Sequence, residues 1–246
     1  MTLLILGGTA DGRRLAETLH KQSIPIIYSV AGLVRVPDVS CQIVSGGFSQ
    51  FGGLSHYVKQ QQVTAILDAT HPYAATMSDK AVTAAMTSEI PYWRFNRPQW
   101  TQGDKESWQV FNSRSEMFQA LTEKKSVFIT AGQLDQDEID LLAVNQGQKQ
   151  VLRTAVEPKR LLPRSMLWVK AIGPFSYDDE LALMKKHAID ALVSKNSGGS
   201  STVQKLNVAR DLEIDVYMLN RPISSAAEIS FTNHAECEKF VLSTFT

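Results

Sequence analysis

Apolar and polar positions fall into blocks along the chain, and the blocks have two periods. Short continuous apolar runs at Leu3–Leu6, Ile24–Val30, Ala65–Ala69 and Tyr92–Phe95 predict buried strands. Between them, Asp11–Lys21 carries Leu15, Ala16 and Leu19 on one helical face, and Leu54–Gln62 and the Ala- and Met-rich Tyr73–Ser88 read as further helices. The second half repeats the rhythm. Val127–Thr130, Val151–Ala155, Leu167–Ala171, Ala191–Ser194 and Val216–Leu219 predict strands, and Asp178–His187 and Thr202–Asp211 predict helices. Strands alternating with helices imply βαβ units and parallel sheets. The polar, turn-rich stretch Gln99–Glu106 is the best candidate for a linker or an excursion.

The rhythm also contains an echo. Thr70-His71 ends a strand, a helix and a strand follow, and then comes Asn96-Arg97-Pro98; Ser194-Lys195 ends a strand with the same sequel, closing on Asn220-Arg221-Pro222. The two units match at a constant offset of 124 residues, about half of the chain, which makes duplication of one α/β domain the economical reading. The domains expected are residues 1–124, binding a nucleotide, and residues 125–246, binding the substrate. Facing each other, they would bring both sets of strand-end loops into one cleft, where open α/β sheets take ligands.

Composition narrows the function. The chain has 246 residues with 25 basic against 25 acidic side chains, and zero net charge argues against a protein that coats nucleic acid or an anionic membrane. Its two cysteines, Cys41 and Cys237, have no CxxC spacing, which argues against a disulfide framework or a zinc ribbon and fits a reducing compartment. The four-residue run Leu3–Leu6 is too short for a signal core or a membrane span. His20, His56, His187 and His234 form no metal-ligand spacing, so no metal is expected. These features describe a cytoplasmic enzyme acting on small molecules, as a monomer or small homo-oligomer.

Four segments carry candidate chemistry. In Gly7-Gly8-Thr9-Ala10-Asp11-Gly12 a strand runs through a Gly-rich turn into a helix, whose free N–H groups suit a pyrophosphate. Thr9 stands where the fingerprint has its middle glycine, and a plain strand–helix turn capped by Thr9 or Asp11 is the other reading. The end of the second strand, Tyr28–Arg35, holds no acid; Ser29 and Arg35 suit a 2′-phosphate and favour NADPH, with NADH possible, unless Arg35 is only a solvated loop charge. Thr70, His71 and Tyr73 lie at a strand's carboxyl end, Pro72 opening the next helix; His71 is a candidate proton donor or nicotinamide contact, although a lone His is more often structural. The fourth is Lys195-Asn196-Ser197-Gly198-Gly199, followed by Thr202 and Lys205, a nest for carboxylate or phosphate without the P-loop spacing. A capped loop would account for the glycines and hydroxyls there, but not for Lys195 between an apolar strand and a Gly-rich loop. Thr130 and Gly132 end a strand and are expected to line the cleft, and Arg97 and Arg221 either bind anions or tie down loops.

Taken together, the blocks resemble the precorrin-6A and cobalt-precorrin-6A reductases of cobalamin biosynthesis. The residues that carry the resemblance are Leu6–Ala16, Ser29–Gly32, Asp68–Ala74, Arg94–Pro98, Ile172–Phe175, Lys195–Lys205 and Asn220–Pro222, nearly the whole chain in order. Leu33-Val34 between Gly32 and Arg35 departs from the family pattern, which has Arg or Thr directly after the glycine. The resemblance implies two Rossmann-like domains with parallel sheets facing each other across a cleft, and hydride transfer from NADPH to precorrin-6A or its cobalt form. His71, Tyr73 and Lys195 are the candidate catalytic residues, with His71, Tyr73 or water supplying the proton. The macrocycle's acetates and propionates would meet Lys195, Lys205, Arg97 and Arg221 beside the loop residues Thr130, Gly132, Asn196–Gly199 and Thr202. A nucleotide-binding protein without catalysis, or a sugar-nucleotide transferase, fits the same frame.

Overall fold

A computed structural model of the chain describes residues 1–32, 39–145, 147–223 and 227–245. It contains two six-stranded sheets, every strand pair parallel. The N-terminal sheet is built around β1 (Leu3–Leu6), flanked by β2 (Ile26–Val30) and β4 (Ala65–Asp68). Their side chains are buried on both faces, which is why they read as unbroken apolar runs. Helix α1 (Ala10–Lys21) covers one face through Leu15, Ala16 and Leu19, with acidic Asp11 in its first turn and Lys21 in its last. Helices α2 (Leu54–Gln60) and α3 (Ala75–Ser88) cover the other through Tyr57, Val58, Ala81, Ala84 and Ala85. Helix α3 starts at Ala75, so Pro72 and Tyr73 lie in a turn before it, not in its first turn as expected.

The second sheet uses the same plan. β7 (Ser126–Ile129) lies between β8 (Lys149–Thr154) and β10 (Ala191–Lys195), β9 (Met166–Lys170) is one edge, and β11 (Asp215–Leu219) follows β10. Helices α6 (Tyr177–Lys186) and α7 (Gln204–Asp211) pack Met184, Leu206, Val208 and Ala209 on one face.

The sequence pattern does not predict β3 (Gln42–Ser45), β6 (Trp108–Phe111), β12 (Ile229–Phe231), α4 (Arg114–Gln119), α5 (Gln136–Ala143) or α8 (His234–Phe245). All three of these strands are sheet edges, with one neighbour each and mixed burial, so their apolar signal is weak.

The halves 1–124 and 125–246 are not the units of the fold. One compact unit is residues 1–98 with 222–246, and the other is residues 99–221. Strand pairing is the reason. β6 follows β5 (Tyr92–Phe95) in sequence but pairs with β11, while β12 follows β11 in sequence but pairs with β5. The resulting orders, β12-β5-β4-β1-β2-β3 and β6-β11-β10-β7-β8-β9, are the same plan twice, with the last strand of each exchanged. The Asn-Arg-Pro echo marks the exchange: the Asn96 N–H donates to Phe231 O and the Asn220 N–H to Phe111 O, both at 2.8 Å.

Because α8 buries Val241 in the same core as Leu15, Leu67 and Trp93, Val241→Ala should destabilise the N-terminal sheet by about 2 kcal/mol. Amide exchange checks this: protection should fall in β1, β4 and β5, and unchanged protection there contradicts the exchanged pairing.

Candidate active site

In the N-terminal unit the turn after β1 is held by its own residues. The Gly7 N–H donates to Ser29 O at 2.8 Å and the Gly8 N–H to the Tyr28 hydroxyl at 3.2 Å. A Cβ on Gly7 would lie 2.2 Å from the Tyr28 ring, so only glycine fits there. Gly8 has φ +97° and open space where a Cβ would stand. Thr9 caps α1 by accepting from the Gly12 N–H at 3.0 Å, and its hydroxyl donates to Ala69 O at 2.8 Å, binding the β1 turn to the end of β4. The cradle fits a dinucleotide pyrophosphate: a backbone bare of side chains at Gly8, at the positive end of a twelve-residue helix.

Asp11, expected at the cofactor, ion-pairs with Arg97 at 2.8 Å and stands 3.2 Å from His234 Nε2. Arg97 is thereby tied to the start of α1. Ser29 is buried at the end of β2, and Arg35 lies outside the described residues.

The Thr70–Tyr73 loop hangs on Asp68, whose carboxylate is 1% exposed and satisfied by three donors. Oδ1 accepts from the Thr70 N–H at 2.9 Å; Oδ2 accepts from the Ser78 hydroxyl at 2.6 Å and the Tyr92 hydroxyl at 2.8 Å. Burial and the Asp68 charge together push the Tyr92 phenol well above its usual range. The Thr70 hydroxyl is buried with no hydrogen-bond partner among the described residues, the kind of group a ligand satisfies. His71 Nδ1 accepts from the Tyr73 N–H at 3.3 Å, which leaves Nε2 to carry the proton of the neutral ring, and the His71 and Tyr73 rings lie 5.6 Å apart.

The C-terminal unit gathers cations. Lys195 ends β10, and its Nζ would stand 3.4 Å from a Cβ on Gly132. Burial, with the nearby Arg114 charge, holds its amine down to about 8, against an opposing pull from Glu138. Lys205, 4% exposed on α7, donates to the Thr130 hydroxyl at 2.9 Å, and that hydroxyl donates on to Val193 O at 2.8 Å. Burial holds Lys205 down to about 7, helped by Arg153 and Lys195 and opposed by Glu180. A cavity of about 370 Å³ opens at this edge of the sheet, lined among others by Thr130, Gly132, Arg153, Thr202 and Lys205.

The loop after β10 is largely stitched to its own unit. The Asn196 amide clamps the Trp100 backbone, accepting from its N–H at 2.8 Å and donating to its carbonyl at 3.0 Å. Arg221 Nε donates to Asn196 O at 2.8 Å, and its NH2 to Ser197 O at 3.2 Å. Arg97 thus ties to the start of α1, after β1, and Arg221 to the loop after β10. Gly198 and Gly199 lead from this loop into the short turn Ser200–Thr202.

Several residues at these sites escape sequence reasoning. Arg114 donates to Ala131 O at 3.0 Å and Gln133 O at 3.1 Å and pairs with Glu138, so the first residue of α4 holds the loop after β7. Nothing local in the sequence signals this. Arg153 forms a two-pronged pair with Glu180 at 2.9 and 2.8 Å, with Glu180 0% exposed. A charge inside the apolar strand Val151–Thr154 was a readable sign, because such a charge needs a buried partner. Among the described residues no group of three or more His, Cys, Asp or Glu side chains could hold a metal, and no helix is long and apolar enough to cross a membrane.

Comparison with known proteins agrees across the chain. The family model described as precorrin-6x reductase CbiJ/CobK matches residues 2–241. A precorrin-6A reductase from Rhodococcus erythropolis is 37% identical over 223 residues, 89% of each chain. A cobalt-precorrin-6A reductase from Priestia megaterium is 25% identical, covering 89% of this chain and 90% of its own. A solved structure of CobK precorrin-6A reductase superposes with a TM-score of 0.89 at 29% identity, covering 99% of this chain and 96% of that one.

Two outcomes test the site's physics. Asp68→Asn sets an amide N–H against hydroxyl donors and should cost about 1–3 kcal/mol, read as a lower melting temperature; an unchanged value contradicts the network. Lys205 titrates at about 7 folded and at the ordinary lysine value of about 10.4 unfolded, so the unfolded chain binds more protons between the two and the Lys205 contribution to stability rises with pH across that window. The stability of Lys205→Met relative to the native chain should therefore be greatest at pH 7 or below and shrink toward pH 10. A gap independent of pH contradicts the desolvated amine.

Proposed function

The chain belongs to the precorrin-6x reductase family, and from that membership we propose that it reduces metal-free precorrin-6A to precorrin-6B with a hydride from NADPH. It is an oxidoreductase of cobalamin biosynthesis, and family membership displaces the transferase and binding-protein alternatives. The observation that carries the site reading is that one chain holds a Gly-Gly cradle at the end of β1 and two desolvated lysines at the sheet edge of its other unit.

NADPH is favoured over NADH because no acid stands within Tyr28–Arg35 to accept from a ribose 2′-hydroxyl, while Ser29 and Arg35 suit a 2′-phosphate. Gly7, Gly8 and the first turn of α1 (Ala10, Asp11, Gly12) would hold the pyrophosphate, and the unsatisfied Thr70 hydroxyl would meet the nicotinamide end. When bound, the reduced nicotinamide supplies the hydride. The chain's own residues bind, orient and move the proton. Lys195 and Lys205 neutralise carboxylates of the macrocycle, beside Thr130, Gly132 and Thr202. Arg97 and Arg221 support this indirectly, by fixing the segments they tie down. His71, once protonated to the imidazolium, or Tyr73 would supply the proton that completes the reduction.

The metal-free substrate is favoured by similarity. Relatives named precorrin-6A reductase are 33–37% identical to this chain, and those named cobalt-precorrin-6A reductase 23–28%. Both cysteines are free and buried, in keeping with a reducing, cytoplasmic setting.

Calorimetric titration should find NADPH binding at least ten-fold tighter than NADH; equal affinities remove the 2′-phosphate assignment. Lys195→Ala should lower kcat/KM about 10- to 100-fold without unfolding the protein. Native kinetics in that variant remove Lys195 from the site.

A further inference from the structure

The cavity beside Lys205 is built as if one of its groups were missing. Its walls bring two cationic side chains, Arg153 from β8 and Lys205 from α7, together with the Thr130 hydroxyl from β7. Glu180 of α6 is the acid facing them, and both of its oxygens are spent on Arg153. Arg153 is further fixed between the rings of Phe128 and Phe175, with its guanidinium carbon 4.8 and 3.7 Å from their centres. It is a pre-set, immobile charge.

Lys205 is in a different position. Its Nζ reaches the Thr130 hydroxyl, and the Trp100 ring centre lies 5.6 Å away. Among the described residues no carboxylate stands within ion-pair distance of it. An ammonium in that place would carry three donors with one acceptor supplied and two further cations nearby, Arg153 and Lys195 of β10. Among the described residues the Thr130 hydroxyl and the Trp100 ring face are what offset that charge, with no carboxylate paired to it.

We propose that this cavity is a carboxylate subsite for one acidic side chain of the macrocycle, and that the carboxylate enters together with one proton from solvent, which ends on the Lys205 amine. The balance is simple: a carboxylate, a solvent proton and a neutral amine become a carboxylate–ammonium pair inside the cavity. Burial with Arg153 and Lys195 holds the empty-cavity amine at about 7, so the proton is absent at pH 8 until the anion arrives. Arg153 is then a positioning residue: it supplies field and shape to Lys205, and Glu180 keeps it in place. The inference rests on the tetrapyrrole reading above and adds to it a proton count that the reading alone does not require.

The test is calorimetry on the full chain with uroporphyrin I, an octacarboxylate tetrapyrrole, in Tris and in phosphate at matched pH. The difference in heat between buffers gives the protons taken up on binding. The native protein should take up about one proton at pH 8 and about none at pH 6, where the amine is already charged. Lys205→Arg, permanently charged, should bind without uptake, and Lys205→Met should bind more weakly, also without uptake. Binding by the native protein with no uptake at pH 8 overturns the proposal and leaves the reductase reading intact. Uptake that survives in both variants overturns the assignment to Lys205. No binding of the porphyrin to the native protein, at either pH, overturns the subsite and the tetrapyrrole reading together.

Discussion

Neither sheet is completed by the half of the chain that begins it. The β5–β12 and β11–β6 ladders cross the sequence, so each parallel sheet gains its last strand and the following helix from a distant segment. A parallel ladder needs a long crossover in any case, and between β5 and β12 the crossover passes through the other unit. The exchange brings remote residues onto the loops that matter. The first residue of α4, Arg114, holds the loop after β7, and the first residue of α8, His234, stands against Asp11 at the start of α1. The two Asn-Arg-Pro segments leave their strands at equivalent points; Arg97 then ties to the start of α1, and Arg221 to the loop after β10.

The buried charges divide by how well they are satisfied. Asp68 has three donors and Arg153–Glu180 a two-pronged pair inside an aromatic sandwich. Both are expensive to bury and costly to break from one side, so they specify local geometry more than they add stability. Lys195 and Lys205 are the opposite case. Their desolvation is only partly offset, and their amines are held well below the ordinary lysine value. Lys205 stands beside an open cavity, and Lys195 ends β10 next to Gly132.

The central strands were legible because burial on both faces leaves an unbroken apolar run, and α1 because its cap, its acidic first turn and its apolar stripe agree. The edge strands β3, β6 and β12 were not, since a strand with one neighbour has no need of that run, whereas the edge strand β9 was read at Leu167–Ala171. The echo at offset 124 correctly marked two equivalent units, yet the boundary at 124/125 missed the exchange, because pairing between distant segments leaves no local trace. At the site, Lys195 stood out as a charge where packing offers it no use. Arg97 was read as binding an anion or tying down a loop, and Asp11 as a cofactor contact or a cap; they meet each other, a contact 86 residues apart in sequence. Arg114 and Glu138 are invisible for the same reason, whereas Arg153 within its apolar strand was open to notice.

The central claim is that this chain moves a hydride from a reduced nicotinamide to a tetrapyrrole. It is tested most directly by incubating the purified protein with precorrin-6A and NADPH deuterated at both C4 positions, then weighing the tetrapyrrole product. The account predicts one deuterium in the product for each NADPH oxidised. A product without deuterium, or no NADPH oxidised while precorrin-6A is present, would contradict it.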